Sequence, residues 1–348
     1  MSAHPSALPT GSYLASAALE PTEVVEIGTA AAVPLLSVVI PNYNHHRYLL
    51  ELLPALAEQR AGQFEVVVVD DGSTEGSFGA LVERFRACGL AGRLIRLPRN
   101  RAQAVARNVG VLHSRAAVIA FIDSDCLPTA GWLAAGERVL TTSAEVGMVQ
   151  GITRPHPKQA QPLFNHFIAK ERLDGSFATC NIFYRKAALL AAGGFDPSAI
   201  DVDDAWEDTD LGWRVHRLGW QIRLAPAALV YHHVLMLSPL EWLRWPRHFV
   251  SMPMKASRYP ELRRHLFLGV WVEWDHALFD LAAVGLALGL IVHPAFSILV
   301  VPYLVAFPFR HGLKGRWPPL KAAAYVAWDA HALAVLLKSS FQHRTLVL

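Results

Sequence analysis

Short, mostly apolar runs that alternate with helical patterns constrain this sequence more than any other feature. The runs are rich in Val, Ile and Leu and occupy residues 35–40, 64–69, 94–97 and 117–122. Apolar spacing predicts a helix over 48–56, and alanine content predicts another over 102–113. Such runs are typical of strands buried on both faces. Their alternation with helices predicts an α/β fold with a mostly parallel central sheet flanked by helices.

Polar side chains follow three of these runs at the point where each predicted strand ends. They are Asn42 and Asn44 after the first run, Asp70 and Asp71 after the second, and Asp123 and Asp125 after the fourth. Ligands of parallel sheets bind beyond the carboxyl ends of the strands, so we expect one site at this edge. The alternative for each motif is an ordinary turn, because Asp, Asn and Ser are common turn residues.

The residue types at this edge suit a nucleotide and a metal ion. One residue separates Asp123 from Asp125, so both carboxylates lie on the same side of an extended segment. Oxygen ligands of this kind suit Mg²⁺ or Mn²⁺, whereas a carboxylate after the second strand is able to accept hydrogen bonds from a base or a ribose. The sequence has neither a dinucleotide-binding glycine fingerprint nor a P-loop. Phosphates would therefore be met by a metal and by Arg101 and Arg107.

A third acidic feature is the stretch 206–214, which follows acidic residues at 201, 203 and 204. It places Glu207, Asp208 and Asp210 within four positions. On a helix Glu207 and Asp210 share a face with Arg214, whereas Asp208 points elsewhere. Clustered carboxylates raise one another's pKa, which suits a base that works near neutral pH. The alternative is a solvated helix start, where acidic residues are favoured in any case.

Five motifs occur in an order that resembles family 2 glycosyltransferases of the GT-A fold. They are residues 41–44, 70–73, 106–110, 123–125 and 206–211, and the resemblance covers about residues 35 to 235. It implies a Rossmann-like GT-A domain and inverting transfer of a sugar from a UDP-, GDP- or dTDP-sugar to a hydroxyl acceptor. The acceptor we expect is a lipid-linked or cell-envelope glycan. One departure is Ala102, where many family members carry Gly.

The resemblance also implies roles for individual residues. Asp208 would be the general base, and Asp125 with Asp123 and His232 would hold Mn²⁺ or Mg²⁺, with His232 preferred over His233. Nucleotide-binding candidates are Pro41, Asn42, Asn44, Asp70, Asp71, Arg101 and Arg107. Acceptor-side supporting candidates are Glu207, Asp210, Trp206 and Asn181. For Asn181 the competing interpretation is a satisfied asparagine at a strand edge.

Between Leu266 and Phe307 the chain is almost continuously apolar, which predicts contact with a membrane. The apolar pieces of the last quarter are 281–292, 295–307 and 322–337, with His293-Pro294 between the first two. A spanning helix needs about 20 apolar residues, and these pieces are short. Arginine and lysine flank the region on both sides, which favours a re-entrant hairpin or interfacial helices on the cytoplasmic face of the membrane. A helical subdomain or dimer interface of a soluble protein is the alternative.

Composition bounds the remaining choices. A net charge of +3 is too small to imply nucleic-acid binding, and three widely spaced cysteines argue against a disulfide framework. Residues 1–33 lack the basic start of a signal peptide and are predicted to be a flexible tail, followed by a catalytic domain (34–238) and a helical membrane-associated region (239–348). The alternatives to glycosyl transfer are a nucleotidylyltransferase on a similar sheet and a catalytically silent nucleotide-binding module.

Overall fold

The computed structural model describes residues 12–14, 21–28, 33–59, 63–76, 78–162, 164–199, 206–310 and 319–348. The predicted acidic run at Asp201, Asp203 and Asp204 lies outside these residues, as does much of the predicted tail. The described residues fall into two compact units. The first lies within 1–161, 167–200 and 206–235, and the second within 162–166 and 236–348.

A nine-stranded sheet forms the centre of the first unit, in the order β1-β4-β3-β2-β5-β9-β7-β10-β6 among the described residues. Its strands are β1 (Glu23–Ile27), β2 (Leu36–Asn42), β3 (Phe64–Asp70), β4 (Gly92–Arg96), β5 (Val118–Ile122), β6 (Cys126–Pro128), β7 (Val146–Pro155), β9 (Asn181–Arg185) and β10 (Gln221–His232). Two further short strands are β8 (Asn165–His166) and β11 (Leu235–Met236). The four strands predicted from apolar runs are confirmed as β2, β3, β4 and β5.

The sheet is mostly parallel. β2 pairs in parallel with β3 and β5, β3 with β4, and β10 with β7. β9 runs antiparallel to both β5 and β7, so these two strands point the same way and six of the nine strands share one direction. The carboxyl ends of β2, β3, β5 and β10 therefore meet at one edge of the sheet, as the α/β prediction requires.

The predicted tail is wrong for residues 23–27. These residues form β1, which pairs antiparallel with β4 from Glu23 opposite Arg96 to Ile27 opposite Gly92. The segment is rich in Ala, Ser, Pro and Thr as a whole, and that average conceals the local sequence Glu-Val-Val-Glu-Ile. This short sequence has β-branched residues able to pair with an exposed sheet edge.

Helices cover the sheet of the first unit. They are α1 (His46–Ala57), α2 (Phe78–Ala87), α3 (Gln103–His113), α4 (Trp132–Leu140), α5 (Lys186–Ala191) and α6 (Glu207–Arg217). α1 buries Leu49, Leu52 and Leu56, which lie on one face at helical spacing. α3 lies directly on β2, because a Cβ at Gly110 would come within 2.3 Å of Val39 Cγ1. The glycine thus sets how closely α3 approaches the sheet.

The second unit is helical apart from short extended segments. Its α-helices are α7 (Pro239–Arg244), α8 (Met252–Arg258), α9 (Trp274–Ile291), α10 (Val301–Arg310) and α11 (Pro319–Gln342), with 3₁₀ helices at Trp245–Phe249, Pro260–His265 and Pro294–Val300. α9 ends just before His293-Pro294, so the predicted break is confirmed. Among the described helices, α9 alone is long and apolar enough to cross a membrane, and only 17% of it is buried.

Candidate functional site

The ends of β2 and β3 are joined by buried polar contacts. Asn42 Nδ2 donates to Asp70 Oδ1 at 2.9 Å, and the Ser73 hydroxyl donates to the same oxygen. Arg96 Nε lies 3.8 Å from Asp70 Oδ2, and His46 Nε2 lies 3.7 Å from Oδ1. Asp70 is 1% exposed. The Asp70 carboxylate therefore organises the loops at this edge, and its contact with a nucleobase stays a prediction.

Asp71 holds the turn that precedes α3. Its two carboxylate oxygens accept hydrogen bonds from the Arg101 backbone N–H at 2.9 and 3.0 Å. Burial raises the pKa of Asp71 to about 6, although these amide contacts and the Arg101 charge oppose the shift. Ala102, the next residue, has φ +67° and ψ 161°. That conformation is essentially reserved for glycine, so the departure noted in the sequence is strained backbone at the predicted phosphate loop.

Pro41 and Asn44 shape the loop that follows β2. Pro41 pairs with Val69 in the parallel ladder, so it belongs to the strand itself. Asn44 has a positive φ of 55°, and its side-chain oxygen accepts hydrogen bonds from the backbone N–H of Thr74 at 2.9 Å and of Glu75 at 3.1 Å. Asn44 thereby ties the β2 loop to the β3 loop. Nucleotide contact by these residues stays a prediction.

Arg107 is buried, and this position differs from the one expected for a phosphate ligand. Its Nη1 donates to Glu207 Oε1 at 2.7 Å, and its Nη2 donates to Asp123 Oδ1 at 3.1 Å. The guanidinium is 2% exposed. Two of its nitrogens therefore donate to carboxylates, one just after β5 and one in α6. Arg107 acts as a bridge between the two acidic motifs.

A candidate metal centre lies at the ends of β5 and β10. Ligand atoms of Asp125, Cys126 and His232 all lie within 4.8 Å of one another. His232 Nδ1 donates to the His233 carbonyl at 2.6 Å, which leaves Nε2 as the nitrogen that faces Asp125 Oδ2 at 3.7 Å. The hydrogen bond to the carbonyl fixes the orientation of the imidazole ring, as similar bonds do in metal-binding histidines. His232, and not His233, belongs to this candidate cluster, and its role as a metal ligand stays a prediction.

The donor set fits a hard divalent cation. Burial raises the pKa of Asp125, and the charges of His232 and His45 oppose that rise. Burial, with the neighbouring Cys180, raises the pKa of the Cys126 thiol well above its ordinary value. A neutral thiol is a poor ligand, so Asp125 and His232 are the residues of this cluster that would hold a cation. A site of oxygen and imidazole ligands suits Mn²⁺ or Mg²⁺ better than a thiolate-preferring metal.

The three acidic residues of α6 have separate surroundings. Glu207 is fully buried, and burial together with the Asp208 charge raises its pKa to about 7, although Arg107 opposes the shift. Asp210 Oδ2 accepts from Arg214 Nε at 2.7 Å, and Arg214 also donates to the Gly194 carbonyl at 2.7 Å. Asp208 is half-buried and accepts from the Thr179 backbone N–H at 3.3 Å. Asp208 is therefore the one of these three carboxylates that reaches solvent.

The other two acceptor-side candidates differ from each other. Trp206 is the residue before α6 and is buried, so its acceptor role stays a prediction. Asn181 is fully buried and donates to the carbonyls of Ile152 and Ala228 at 2.8 and 2.9 Å. Its oxygen accepts from Trp132 Nε1 at 2.8 Å. The prediction of Asn181 as an acceptor-side residue is wrong. Its amide group instead joins β9 to β7 and to the register shift between Ala225 and Leu229 in β10.

Sequence reasoning missed His45 and Thr179. His45 Nδ1 lies 3.0 Å from Ser124 Oγ, between the two aspartates of the metal motif, and its charge lowers the pKa of Asp125. Thr179 supplies the backbone N–H that contacts Asp208. His45 directly follows the Asn44 loop at a strand end, and that position was the available signal. Nothing in the sequence around Thr179 indicates its contact with a residue 29 positions away.

Comparison with known protein families agrees with this arrangement. The sequence model of Glycosyl transferase family 2 matches residues 37–163, and that of Glycosyl transferase family group 2 matches residues 118–310. The second match alone covers more than half of the chain. This protein therefore belongs to family 2 of the glycosyltransferases.

Individual relatives are more distant. The chain is 28% identical to glycosyltransferase AglE of Haloferax volcanii over 184 residues, which are 50% of this chain and 60% of AglE. It is 32% identical over 92 residues to the putative teichuronic acid biosynthesis glycosyltransferase TuaG of Bacillus subtilis, covering 26% of this chain and 36% of TuaG. The chain thus spans less than two thirds of the length of these curated relatives.

A solved structure shares the fold over nearly the whole chain. The mannosyltransferase PcManGT from Pyrobaculum calidifontis, in complex with GDP-Man and Mn²⁺, superposes with a TM-score of 0.63 at 21% identity. The match covers 94% of this chain and 93% of PcManGT. The GT-A fold predicted from the sequence is confirmed.

Proposed function

We propose that this chain transfers a sugar, with inversion, from a nucleoside diphosphate sugar to a hydroxyl group of a cell-envelope or lipid-linked glycan. The observation that carries the proposal is the Arg107 bridge. Its guanidinium contacts Asp123, beside the candidate metal centre, and Glu207, beside Asp208. A two-substrate cleft needs a donor side and an acceptor side at a defined separation, and this buried bridge holds them there.

Asp208 is the proposed general base. Its carboxylate takes the proton of the acceptor hydroxyl while the acceptor oxygen forms a bond to the anomeric carbon. The bond between that carbon and the diphosphate oxygen breaks, and the diphosphate leaves with the bonding electron pair. Direct displacement of this kind inverts the anomeric configuration and needs no protein nucleophile. Glu207 and Asp210 are the buried positioning residues on either side of the base.

The leaving group would be met at the other side of the bridge. Asp125 and His232, with Asp123 beside them, are the residues that would hold Mn²⁺ or Mg²⁺, and such an ion neutralises charge on a departing diphosphate. The contact of His232 Nδ1 with the His233 carbonyl supports this role, because it leaves Nε2 available as a ligand atom. Arg101 is the remaining basic candidate for the phosphates, on the turn that Asp71 holds.

The donor and the acceptor follow from the relatives only in part. PcManGT is described with GDP-Man and Mn²⁺, and TuaG by teichuronic acid biosynthesis. By analogy, we infer a purine or pyrimidine nucleotide sugar as donor and an envelope glycan as acceptor. The apolar second unit supports action at a membrane, and the basic residues around it favour the cytoplasmic face. The nucleotidylyltransferase alternative needs a glycine-rich basic loop after the first predicted strand, where this chain has Tyr43-Asn44-His45.

The substitution Asp208→Asn tests the proposal. We expect transfer from the cognate nucleotide sugar to fall by about 10²- to 10⁴-fold, because the base is lost, while donor binding is retained. Donor binding is measured by calorimetry with a panel of UDP-, GDP- and dTDP-sugars and Mn²⁺. Glu83→Gln, on the exposed face of α2, is the matched control and leaves both unchanged. Loss of donor binding in Asp208→Asn would contradict the assigned role, and turnover of no nucleotide sugar by the wild type would contradict the function.

A further inference from the structure

The most exposed apolar segment of the described chain is the turn between α9 and the following 3₁₀ helix. All nine residues from Leu290 to Ile298 are exposed, and only His293 and Ser297 among them have polar side chains. Leu290 is 88% exposed and Ile291 is 82% exposed. Soluble monomers rarely expose a large contiguous apolar surface, so this turn needs a partner.

Residues 281–307 form a hairpin, in which α9 is one arm and the segment that follows the turn is the other. The two arms pack on each other through small residues. Gly285 and Gly289 lie four residues apart on α9, and they allow the returning segment to approach closely. A Cβ at Gly285 would come within 2.6 Å of Leu299 Cβ, and one at Gly289 within 2.4 Å of Ser297 Oγ. Small residues at this spacing are typical of helix contacts in lipid, where packing replaces the hydrophobic effect.

Exposed residues occur on several sides of α9. Val284, Leu286 and Leu290 are all exposed, and successive helix positions differ by about 100° in direction. A protein partner would cover one face of such a helix, whereas lipid surrounds it. The occupant that matches this distribution is hydrocarbon.

Polar and aromatic groups mark where the hairpin begins. Asp280 accepts a hydrogen bond from Trp271 Nε1 at 2.9 Å, and Trp274 at the start of α9 is 45% exposed. Arg263 donates to the carbonyls of Gly269 and Leu346 beside this point, and Arg264 is exposed. Tryptophan and arginine are enriched at the headgroup level of membranes, and arginine is attracted to anionic lipids.

The length of the hairpin is that of one leaflet. No Asp, Glu, Lys or Arg occurs from Leu281 to Phe309. From Asp280 to the end of α9 at Ile291 there are about 11 residues, or about 16 Å at the rise of an α-helix. The hydrocarbon core of a bilayer is about 30 Å thick, so one leaflet measures about 15 Å.

We propose that residues 281–307 form a hairpin that enters a single leaflet of a membrane with anionic headgroups and turns back near the bilayer midplane. The inference concerns the anchor of the second unit and not the sugar chemistry of the first. Its tests measure lipid binding and depth without turnover, so they fail or succeed independently of the proposed function.

The first test is flotation of the full chain with vesicles that contain phosphatidylglycerol. Ile291→Glu places a charge at the tip, and we expect roughly 100-fold weaker partition onto the vesicles, from the cost of a charged side chain in hydrocarbon. Leu218→Glu, at an exposed leucine of the first unit, is the control and leaves partition unchanged. Equal partition of Ile291→Glu and the wild type would overturn the proposal. The proposal would also be overturned if the wild type did not bind vesicles and formed a stable dimer, as measured by light scattering.

The second test measures depth. Ala295→Cys in a Cys88→Ser background gives one exposed thiol at the turn, because Cys126 and Cys180 are buried. We expect a fluorophore at this position to be quenched most strongly by lipids brominated near the ends of their acyl chains. It should also resist aqueous iodide added to either side of sealed proteoliposomes. Access of iodide from the side opposite the enzyme would show a complete crossing and overturn the single-leaflet hairpin, as would quenching limited to the headgroup level.

Discussion

Helices α6 and α9 reverse the usual relation between polarity and burial. α6 carries three carboxylates in its first turn, yet Glu207 and Asp210 have no exposed surface. α9 is strongly apolar, yet of its 18 residues only His276, Ala282 and Gly285 are buried. Partners explain the difference. The two buried carboxylates of α6 meet Arg107 and Arg214, whereas the leucines of α9 near the hairpin turn meet no other part of the described chain that covers them.

In both helices, burial follows from the partners that the fold supplies. A buried charge is tolerated where a charge of opposite sign and further hydrogen bonds satisfy it. An apolar helix is exposed where its surroundings are themselves apolar, as in lipid. Substitutions at Arg107, Asp71, Ala102 and Ile291 test that contrast.

Arg107→Met removes the cation that pairs with the buried Glu207 carboxylate of α6. We expect a loss of about 3–5 kcal/mol in the free energy of unfolding, because Glu207 is left buried without its ion pair. The measurement is unfolding of the full chain in denaturant, monitored by tryptophan fluorescence. Arg86→Met removes the exposed Arg86–Glu83 pair, which is equally short at 2.7 Å, and should cost less than about 1 kcal/mol. Similar losses in the two variants would contradict the role of the bridge.

Asp71→Asn tests a buried carboxylate whose oxygens accept hydrogen bonds from the Arg101 backbone N–H. Because the pKa of Asp71 is raised to about 6, the folded state binds more protons than the unfolded state between about pH 4 and pH 6. The stabilising contribution of Asp71 is therefore complete below its unfolded pKa and is lost as the pH rises through 6. We expect Asp71→Asn to gain about 2–3 kcal/mol relative to wild type between pH 4 and pH 7.

That pH series is read from unfolding curves of both proteins at each pH. A constant difference between wild type and Asp71→Asn would show that Asp71 has an ordinary pKa in the folded protein.

Ala102→Gly relieves the strained turn beside the predicted phosphate site. Alanine is costly at φ +67° and ψ 161°, so glycine should raise the free energy of unfolding by about 1 kcal/mol after its larger unfolded-state entropy is subtracted. The thermal midpoint of the two proteins provides the measurement. Ala134→Gly, on the exposed side of α4, should shift stability by a similar amount in the opposite direction. Destabilisation by both substitutions would argue against the strain.

Ile291→Glu should change the stability of the protein in aqueous buffer by less than about 0.5 kcal/mol, since the side chain contacts solvent there. The same substitution is expected to weaken vesicle binding strongly. Calorimetric unfolding without lipid separates the two effects. A large loss of stability without lipid would mean that the tip packs on protein, and the contrast between α6 and α9 would disappear.

Much of the catalytic fold could be predicted from local sequence. The β2, β3 and β5 strands were visible because short runs rich in Val, Ile and Leu have few alternatives to a buried strand. The start of α6 and the break at Pro294 were visible for similarly local reasons. The prediction failed for β1, because its five residues lie within a segment whose average composition indicates a flexible tail.

The candidate site was predictable only as a list of residue types. Asp71, Asp125, Asp208 and His232 lie where strand ends or the start of α6 place them. The surroundings of Arg107 and Asn181 were not predictable, because their partners lie far away in sequence: Glu207 is 100 residues from Arg107, and Ala228 is 47 residues from Asn181. A long-range pairing of two side chains leaves no periodic signal in either segment.

Local sequence was enough to predict four of the strands, the edge of the sheet where carboxylates gather, and the family to which the chain belongs. These properties depend on runs and spacings within short segments. The helical spacing separated Asp208 from the face of Glu207 and Asp210, but the pairing of Glu207 with Arg107, 100 residues away, came only from the tertiary structure. The physical reason is that burial of a charge is decided by its partner, and partners are brought together by the fold.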